Sequence, residues 1–247
     1  GLPIMSALGL SALDGEIRDL MRFAAQRSML PRFRNLAVGE IEMKGADDPV
    51  TIVDREVEAF LTEALTRLAP GVAVVGEEAV HADKGVLDNL DGQCWIIDPL
   101  DGTANFAQGK EPFGIIIALA DAGEAVAGWI YDPLKDRFCH ARRGEGAFVD
   151  GTRIMARPTG QSPPVTAVSR IFLTPEEAAD LDAKIASHYT LVEIPRCAAE
   201  QYPRLALGEN DVSSFKRTLA WDHAAGVLWL NEAGGKAARQ DGSVYRV

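Results

Sequence analysis

Residues 94–106 constrain the fold more than any other stretch, because they join a buried strand to a turn that carries two carboxylates. The apolar run 94–97 is short and predicts a buried strand. Pro99 prevents a helix from following, and a glycine after the second aspartate permits a tight turn. Asp98 and Asp101 therefore leave the same strand end, and two anions so close together are costly unless they share a proton or bind a cation.

Further carboxylates at the ends of predicted apolar elements favour the cation. They are Asp54, Glu77 with Glu78, and Asp222. Oxygen ligands without histidine or cysteine suit magnesium, and several such carboxylates suit a two-metal site that clamps a phosphate group. Thr103 adds a hydroxyl, and the amides of Gly102 and Thr103 are expected at a helix N-terminus, where they would bind an anion.

Each of these features also has an ordinary structural interpretation. Asp54 and Asp222 would each suit a helix cap, and Glu77 with Glu78 would suit a solvated surface. The turn at 98–103 uses the residue types that any turn uses. The occurrence of all four features, each at the end of an apolar element, favours a shared site.

The apolar pattern predicts one α/β domain over residues 1–247, made of an α+β half (about 1–157) and an α/β half (about 158–247). Helical periods predict helices at 11–30, 54–68, 175–187, 197–207 and 221–233. Apolar runs predict strands at 72–75, 94–97, 113–120, 125–131, 137–141, 165–169, 191–194 and 211–215. The strands at 113–120, 125–131 and 137–141 are expected to form an antiparallel meander. A polar loop is predicted at 39–49, and Asp54 is expected at the N-cap of its helix.

The charge and the cysteine content disfavour several classes of function. The net charge of −11 argues against nonspecific nucleic-acid binding and against docking on an acidic membrane. Three well-separated cysteines favour neither a disulfide framework nor a zinc site, and they fit a reducing compartment. The sequence has no apolar run long enough to span a membrane and no secretory signal pattern at its start. We therefore expect a cytoplasmic protein with a small-molecule substrate.

Several motifs together resemble the signature set of the inositol monophosphatase family. The matching segments are DPVTIVDREVE at 48–58, GEE at 76–78, WIIDPLDGTANF at 95–106, AWDHAAG at 220–226 and NEAGG at 231–235. The resemblance spans nearly the whole chain. It implies a layered αβαβα sandwich of the inositol monophosphatase and fructose bisphosphatase type. It also implies a magnesium-dependent, lithium-sensitive phosphatase of small phosphate monoesters, in a family whose members are often homodimers.

The same resemblance implies a ligand set and catalytic roles. The implied metal ligands are Glu77, Asp98, the carbonyl of Leu100, Asp101 and Asp222. They would hold two or three Mg²⁺ ions, and Mn²⁺ or Ca²⁺ would also fit. Glu77 and Thr103 correspond to the pair that activates a water attacking in line between the metals, and Asp54 corresponds to the residue that orients Thr103. The implied substrate contacts are the amides of Gly102 and Thr103, together with Ala198 and Asp222.

Two positions on the leaving-group side depart from the family pattern. Phe215, seven residues before Asp222, stands where relatives that hydrolyse inositol phosphates have a glutamate for the sugar hydroxyls. Arg196 stands where relatives usually have a small residue, and Lys216 and Arg217 add further cations. An arginine suits a second phosphate or a carboxylate better than a polyol. The alternative interpretation is that these cations are solvated surface charge.

The identity of the substrate therefore stays open at the level of the sequence. Histidinol phosphate, a sugar bisphosphate and a nucleotide 3′-phosphate are alternatives to inositol phosphate, and Glu200 and Tyr202 also differ from the common inositol type. The alternative from another class is a regulatory or RNA-associated protein that retains the fold. The intact set of carboxylates argues against it, because acidic groups packed together without a function destabilise a protein.

Overall fold

The computed structural model describes residues 10–46, 48–170, 173–215 and 217–247. Its helices are α1 (Leu10–Ala24), α2 (Ile52–Leu68), α3 (Glu77–Ala82), α4 (Thr103–Ala107), α5 (Pro175–Ile185), α6 (Ala198–Ala206) and α7 (Ala220–Glu232). A π-helical turn (Ala25–Met29) continues α1, and a 3₁₀-helix (Lys84–Asp91) follows α3. The strands are β1 (Ile41–Gly45), β2 (Asp48–Thr51), β3 (Ala73–Gly76), β4 (Cys94–Asp101), β5 (Gly114–Asp121), β6 (Glu124–Asp132), β7 (Arg137–Arg142), β8 (Ala147–Val149), β9 (Thr152–Ile154), β10 (Val165–Val168), β11 (Thr190–Val192) and β12 (Val212–Ser214).

The main sheet has seven strands in the order β3-β4-β5-β6-β7-β8-β9. The β3–β4 pair is parallel and every later pair is antiparallel, so the predicted meander is confirmed. Both faces of the sheet are buried, and alternate residues of β4 divide between two cores: Trp95 and Ile97 lie in one, Cys94 and Ile96 in the other. This division follows from the period-two direction of strand side chains.

Helices cover both faces of this sheet. Helices α1 and α2 pack in the first core, and α6 and α7 pack in the second. The smaller sheet, with the parallel order β11-β10-β12, lies beyond α6, and α5 connects β10 to β11. The result is the layered α/β sandwich that the sequence predicts, in which helices from the C-terminal part of the chain pack on the sheet built by the N-terminal part.

Two sequence predictions near the site are wrong. The predicted polar loop at 39–49 contains most of an antiparallel hairpin, β1–β2, whose polar residues are explained by its exposure. Asp54 is not the N-cap of α2; Thr51 is, and its side chain accepts a hydrogen bond from the amide of Val53. Asp54 instead occupies the third helical position and accepts from the Thr51 amide, which completes a capping box.

Other elements were not predicted or end at different residues. Strands β8 and β9 extend the meander. The Asp150-Gly151 pair between them is a typical sequence signal of a β-hairpin turn. The three cysteines are free and buried. No helix in the described part of the chain is long and apolar enough to cross a membrane.

Candidate active site

Three aspartates converge where β4 ends and α7 begins. Carboxylate oxygens of Asp98, Asp101 and Asp222 all lie within 4.8 Å of one another. Asp98 pairs with Ile116 and Asp101 with Gly114, and an irregularity in the ladder between these pairs lets both aspartates of one strand reach the same place. Asp222 comes from the first turn of α7. The sequence-predicted cluster is therefore assembled from two elements more than a hundred residues apart.

The electrostatics of this cluster favour a bound cation. Burial, together with the charges of Glu77 and Asp222, raises the pKa of Asp98 well above its ordinary value. Burial and the charge of Asp222 raise the pKa of Asp101 to about 7. Without a counter-ion, such a group of acids takes up protons to relieve its mutual repulsion. A divalent cation would relieve the same repulsion and leave all the carboxylates ionised.

The orientation of Asp101 is set by the start of α6. The amide of Ala199 donates to Oδ2 of Asp101 at 2.7 Å, and the thiol of Cys197 lies 3.2 Å from the same oxygen. Because the side chain of the N-cap residue Cys197 makes no cap hydrogen bond, the carboxylate of Asp101 takes the place of a cap. Oδ2 of Asp101 is thereby held by the first turn of α6.

Glu77 lies beside the aspartates, at the start of α3. Its carboxyl is within hydrogen-bonding reach of Asp98, and burial and the charge of Asp222 raise its pKa well above the ordinary value. Lys44 from the β1–β2 hairpin approaches the same corner, with its Nζ 2.7 Å from Glu78. This lysine side chain is only 8% exposed, so the hairpin brings a largely buried cation next to the acidic cluster.

Sequence reasoning missed Glu58, which holds the start of α3 in place. Its two carboxylate oxygens accept from the amides of Glu78 and Ala79, each at 2.8 Å. A Cβ on Gly76 would lie 2.4 Å from the Glu58 carboxyl carbon, so a larger residue there would displace this carboxylate from the amides that it accepts from. The signal was present in the sequence: Glu58 lies four residues after Asp54, on the same face of α2.

Thr103, Asp54 and the Leu100 carbonyl form a connected group. Thr103 Oγ1 lies 2.9 Å from Asp54 Oδ1 and 2.8 Å from the oxygen of Leu100. Asp54 is 1% exposed, and its other oxygen accepts from the hydroxyl and the amide of Thr51. Burial outweighs these hydrogen bonds and raises the pKa of Asp54 to about 6. Asp54 and Thr103 are therefore within hydrogen-bonding distance of each other.

The turn after Asp101 has the geometry of an anion cradle. Gly102 has a φ of +86° and is the N-cap of α4, and its Cβ, if it had one, would lie 2.8 Å from the carbonyl oxygen of Pro112. The first amides of a helix, here those of Gly102 and Thr103, lack partners inside the helix. Asn105 then links this turn to the segment before α6, because its amide donates to the carbonyls of Pro112 and Pro195.

Arg196 lies in a turn whose flanking residues both contact the segment that carries Asp101 and Asn105. Pro195 accepts from Asn105, and Cys197 contacts Asp101. Arg196 has a φ of +54°, which is a strained conformation for a residue with a Cβ. Its side chain is exposed and borders a cleft of about 500 Å³ that also includes Arg170. The structure thus places Arg196 next to the aspartate loop along the backbone, with its side chain on an open cleft.

Phe215 lies in a cluster of rings that includes His223, the residue after Asp222. Its ring centroid is 4.6 Å from that of His223 and 5.6 Å from that of Tyr202. The hydroxyl of Tyr202 is 2.7 Å from Nδ1 of His223, and burial lowers the pKa of that histidine. These three residues border a different cleft, of about 970 Å³. Phe215 and Arg196 therefore border different clefts, although Val168 lines both.

The remaining predicted residues take simple positions. Ala198 is the first residue of α6 and is 7% exposed. Arg217 is exposed, and Lys216 lies outside the described residues.

The donor set fits a hard divalent cation. The converging groups are three aspartate carboxylates, of which Asp98 and Asp101 are buried. Magnesium and calcium prefer such oxygen ligands, whereas His223, the residue after Asp222, is engaged with Tyr202.

Comparison with known proteins identifies the family of this chain. The inositol monophosphatase family model matches residues 17–246. The chain is 32% identical over 202 residues to inositol-1-monophosphatase of Bacillus subtilis, which covers 81% of this chain and 75% of that protein. The chain belongs to the inositol monophosphatase family and is an enzyme of that class of phosphatases.

Solved structures show the same fold. A suppressor protein, SuhB of Bartonella henselae, is 27% identical, with a TM-score of 0.79 over 94% of this chain and 89% of that one. SaIMPase-II has been solved with bound inositol monophosphate (26% identity, TM-score 0.75, 95% and 85% coverage) and with bound 2′AMP (26% identity, TM-score 0.77, 96% and 85% coverage). The fold class expected from the sequence is thus confirmed.

Proposed function

We propose that this protein is a magnesium-dependent phosphatase that hydrolyses a small phosphate monoester with water as the nucleophile. The observation that carries the proposal is the convergence of Asp98, Asp101 and Asp222 within 4.8 Å beside Thr103 and its partner Asp54. Glu77 and the Leu100 carbonyl complete the ligand set implied by the family resemblance. When bound there, Mg²⁺ would neutralise phosphate oxygens and acidify water.

The protein groups divide the remaining work. Thr103 donates its hydroxyl hydrogen to Asp54, so that when the attacking water passes a proton to the Thr103 oxygen, the hydroxyl hydrogen passes on to the Asp54 carboxylate. Glu77 accepts from that water on its other side. The amides of Gly102 and Thr103 hold the phosphate oxygens, and this contact strengthens as negative charge develops there. No covalent intermediate is required, and the buried cysteines take no part.

The leaving group is expected to differ from a neutral polyol. Phe215 replaces an acceptor of sugar hydroxyls, and Ala198 and Asp222 bound the space next to the phosphate. Arg196 has no ion pair or side-chain hydrogen bond to any residue of the described part of the chain, so its guanidinium is available for a second anionic group. Histidinol phosphate, a sugar bisphosphate and a nucleotide 3′-phosphate are the substrates to compare with inositol 1-phosphate.

A turnover assay with and without magnesium tests the proposal. The purified chain is assayed with p-nitrophenyl phosphate and with the four named classes of ester, in Mg²⁺ and in EDTA. We expect phosphate release in Mg²⁺ alone and a preference for an ester with a second anionic group. Undiminished turnover in EDTA would exclude the metal mechanism, and a strongest preference for inositol 1-phosphate would exclude the anionic leaving group.

A non-catalytic regulatory role is a second candidate, because a protein named as a suppressor, SuhB, shares the fold at 27% identity. An RNA-binding assay on the wild type and on a catalytically inactive variant separates the two roles. Lithium inhibition, a homodimer and a cytoplasmic location are further expectations of the proposed function. Activity in LiCl, light scattering and cell fractionation test them respectively.

A further inference from the structure

Glu200 is a buried anion surrounded by cations. Its side chain is 3% exposed, and its carboxylate receives Arg137 at 2.9 Å, Arg204 at 3.0 Å and Lys135 at 3.3 Å. Burial alone would raise its pKa, but the hydrogen bond from Arg204 and the charges of Arg137 and Lys135 outweigh burial and lower it. The carboxylate is therefore ionised at neutral pH. We call Glu200, Lys135, Arg137 and Arg204 the Glu200 clamp.

The clamp joins α6 to the end of the main sheet at which Asp101 lies. In the main sheet Asp101 pairs with Gly114, the next residue Ile115 pairs with Tyr131, and Asp132 pairs with Arg137. The ends of β4, β5, β6 and β7 thus lie side by side at one end of the sheet. The first turn of α6 crosses these strand ends, because Ala199 contacts Asp101 on β4 and Glu200 contacts Arg137 on β7.

The crossing is close enough to require a glycine. A Cβ on Gly114 would lie 2.9 Å from Cβ of Ala199 and 2.7 Å from the carbonyl oxygen of Tyr131. The helix therefore rests directly on the backbone of β5, between its two anchors. A small shift of α6 would move the Ala199 amide away from Asp101, since the two are joined by a single 2.7 Å hydrogen bond.

We propose that Glu200 is a positioning residue for the metal site: its ion pairs hold the first turn of α6 so that the Ala199 amide and the Cys197 thiol fix one carboxylate oxygen of Asp101 and leave the other for the metal. The inference rests on the proposed metal-dependent function. It differs from a purely stabilising salt bridge, because it ties the clamp to the orientation of one ligand. It also explains why a buried charge follows directly after the residue that contacts Asp101.

Two readouts separate positioning from simple stabilisation. The first is Mg²⁺ affinity, measured by calorimetry on folded Glu200→Gln. The second needs no metal: it is the alkylation rate of Cys197, followed by peptide mass spectrometry, because this buried thiol lies against Asp101. We expect Mg²⁺ affinity to fall by roughly tenfold, as for other changes that release a metal ligand, and labelling of Cys197 to accelerate relative to that of Cys94.

Matched variants keep the test decisive. Glu209→Gln removes a carboxylate that also pairs with Arg204, at 3.7 Å, but is 56% exposed, and it should leave both readouts unchanged. Lys135→Gln removes the most exposed cation of the clamp, 51% exposed, and is expected to remain folded with a smaller effect in the same direction. It carries the test if Glu200→Gln does not fold.

The outcomes distinguish this inference from the proposed function. If the wild type binds no Mg²⁺, the proposed function fails. If the wild type binds Mg²⁺ and the Glu200 and Lys135 variants melt earlier but keep its affinity and its Cys197 labelling rate, the clamp is only a stabilising feature and the positioning role is overturned.

Discussion

The two sides of the proposed active site are built in different ways. On the phosphate side, the groups converge: three aspartates meet within 4.8 Å, and Asp101 is fixed by backbone and thiol donors. On the leaving-group side, the candidate residues diverge. Arg196 borders one cleft and Phe215 lies in a ring cluster at another.

This difference follows from the demands of the chemistry. Phosphoryl transfer depends on placing charges to a fraction of an ångström, so its groups sit on strand and helix ends with backbone hydrogen bonds behind them. Recognition of a leaving group tolerates more variation and can use an exposed side chain on a turn. We therefore expect substitutions on the phosphate side to lower turnover of every ester strongly, and substitution of Arg196 on the other side to change preference among esters.

The largest effect is expected for Asp98→Asn. The amide keeps the shape of the side chain but lowers its charge at the centre of the ligand group, so kcat/KM should fall by about a hundredfold or more, with loss of Mg²⁺ binding. Steady-state kinetics and calorimetry measure both. Asp136→Asn is the matched control, because Asp136 is an exposed aspartate that pairs with Arg22 and lies outside the site. Full activity of Asp98→Asn would contradict the proposed role of the aspartate cluster on the phosphate side.

Next in size is Thr103→Val, which removes the hydroxyl while preserving the shape of the side chain. Loss of a proton-accepting group in the transition state should lower kcat by about a hundredfold, with little change in Mg²⁺ affinity. Asp54→Asn should act through the same hydroxyl, so the double variant should be scarcely slower than either single variant. Effects that simply multiply would show that Asp54 and Thr103 act independently.

The phosphate side was also the more predictable from sequence, for a physical reason. Asp98 and Asp101 are linked by a short, stiff turn, so their proximity follows from local sequence. Their meeting with Asp222 could be proposed only because that residue begins a helix within a known motif. Arg196 and Phe215 are positioned by long-range contacts with Asn105, Tyr202 and His223, and nothing local in the sequence reports these.

The errors near the site have related causes. The β1–β2 hairpin was predicted as a loop because its strands are short and mostly exposed, so they lack the apolar pattern of a strand. Asp54 was predicted as an N-cap because aspartate is common at that position. In the structure the N-cap is Thr51, three residues earlier in the sequence. Glu58 escaped notice because its role depends on amides of α3 in a distant part of the sequence.

The raised pKa values of the buried aspartates on the phosphate side predict that stabilisation of the fold by magnesium depends on pH. The folded-state pKa of Asp54 is about 6 and that of Asp101 about 7, both above the ordinary 3.8 of an aspartate. For metal-free protein, this stability contribution is complete below the ordinary pKa and is lost as pH rises through about 6 to 7. Mg²⁺ competes with the proton on Asp101, a proposed ligand, so its effect on the melting temperature should grow as the pH rises through about 7.

Differential scanning fluorimetry with and without Mg²⁺, at a series of pH values across this window, measures the effect. At about 100 times the dissociation constant, bound Mg²⁺ should add about 2.7 kcal/mol to the free energy of unfolding. Asp98→Asn should show little of this increase at any pH. A shift of the same size on both sides of the window would mean that these aspartates are already ionised without metal.

The smallest effects are expected on the leaving-group side, and they should divide between Arg196 and Phe215. An exposed arginine contributes about 1 kcal/mol or less to an ion pair, so Arg196→Gln should lower kcat/KM for an ester with a second anionic group by about fivefold at most. Its turnover of p-nitrophenyl phosphate should stay unchanged.

Phe215→Leu should cost about 1 kcal/mol of stability through its lost ring contacts and affect all esters alike, because the ring packs on His223 beside Asp222. Kinetics on paired esters and urea unfolding measure the two outcomes. If Phe215→Leu changed ester preference more than Arg196→Gln did, the cleft beside Phe215, and not the one beside Arg196, would hold the leaving group.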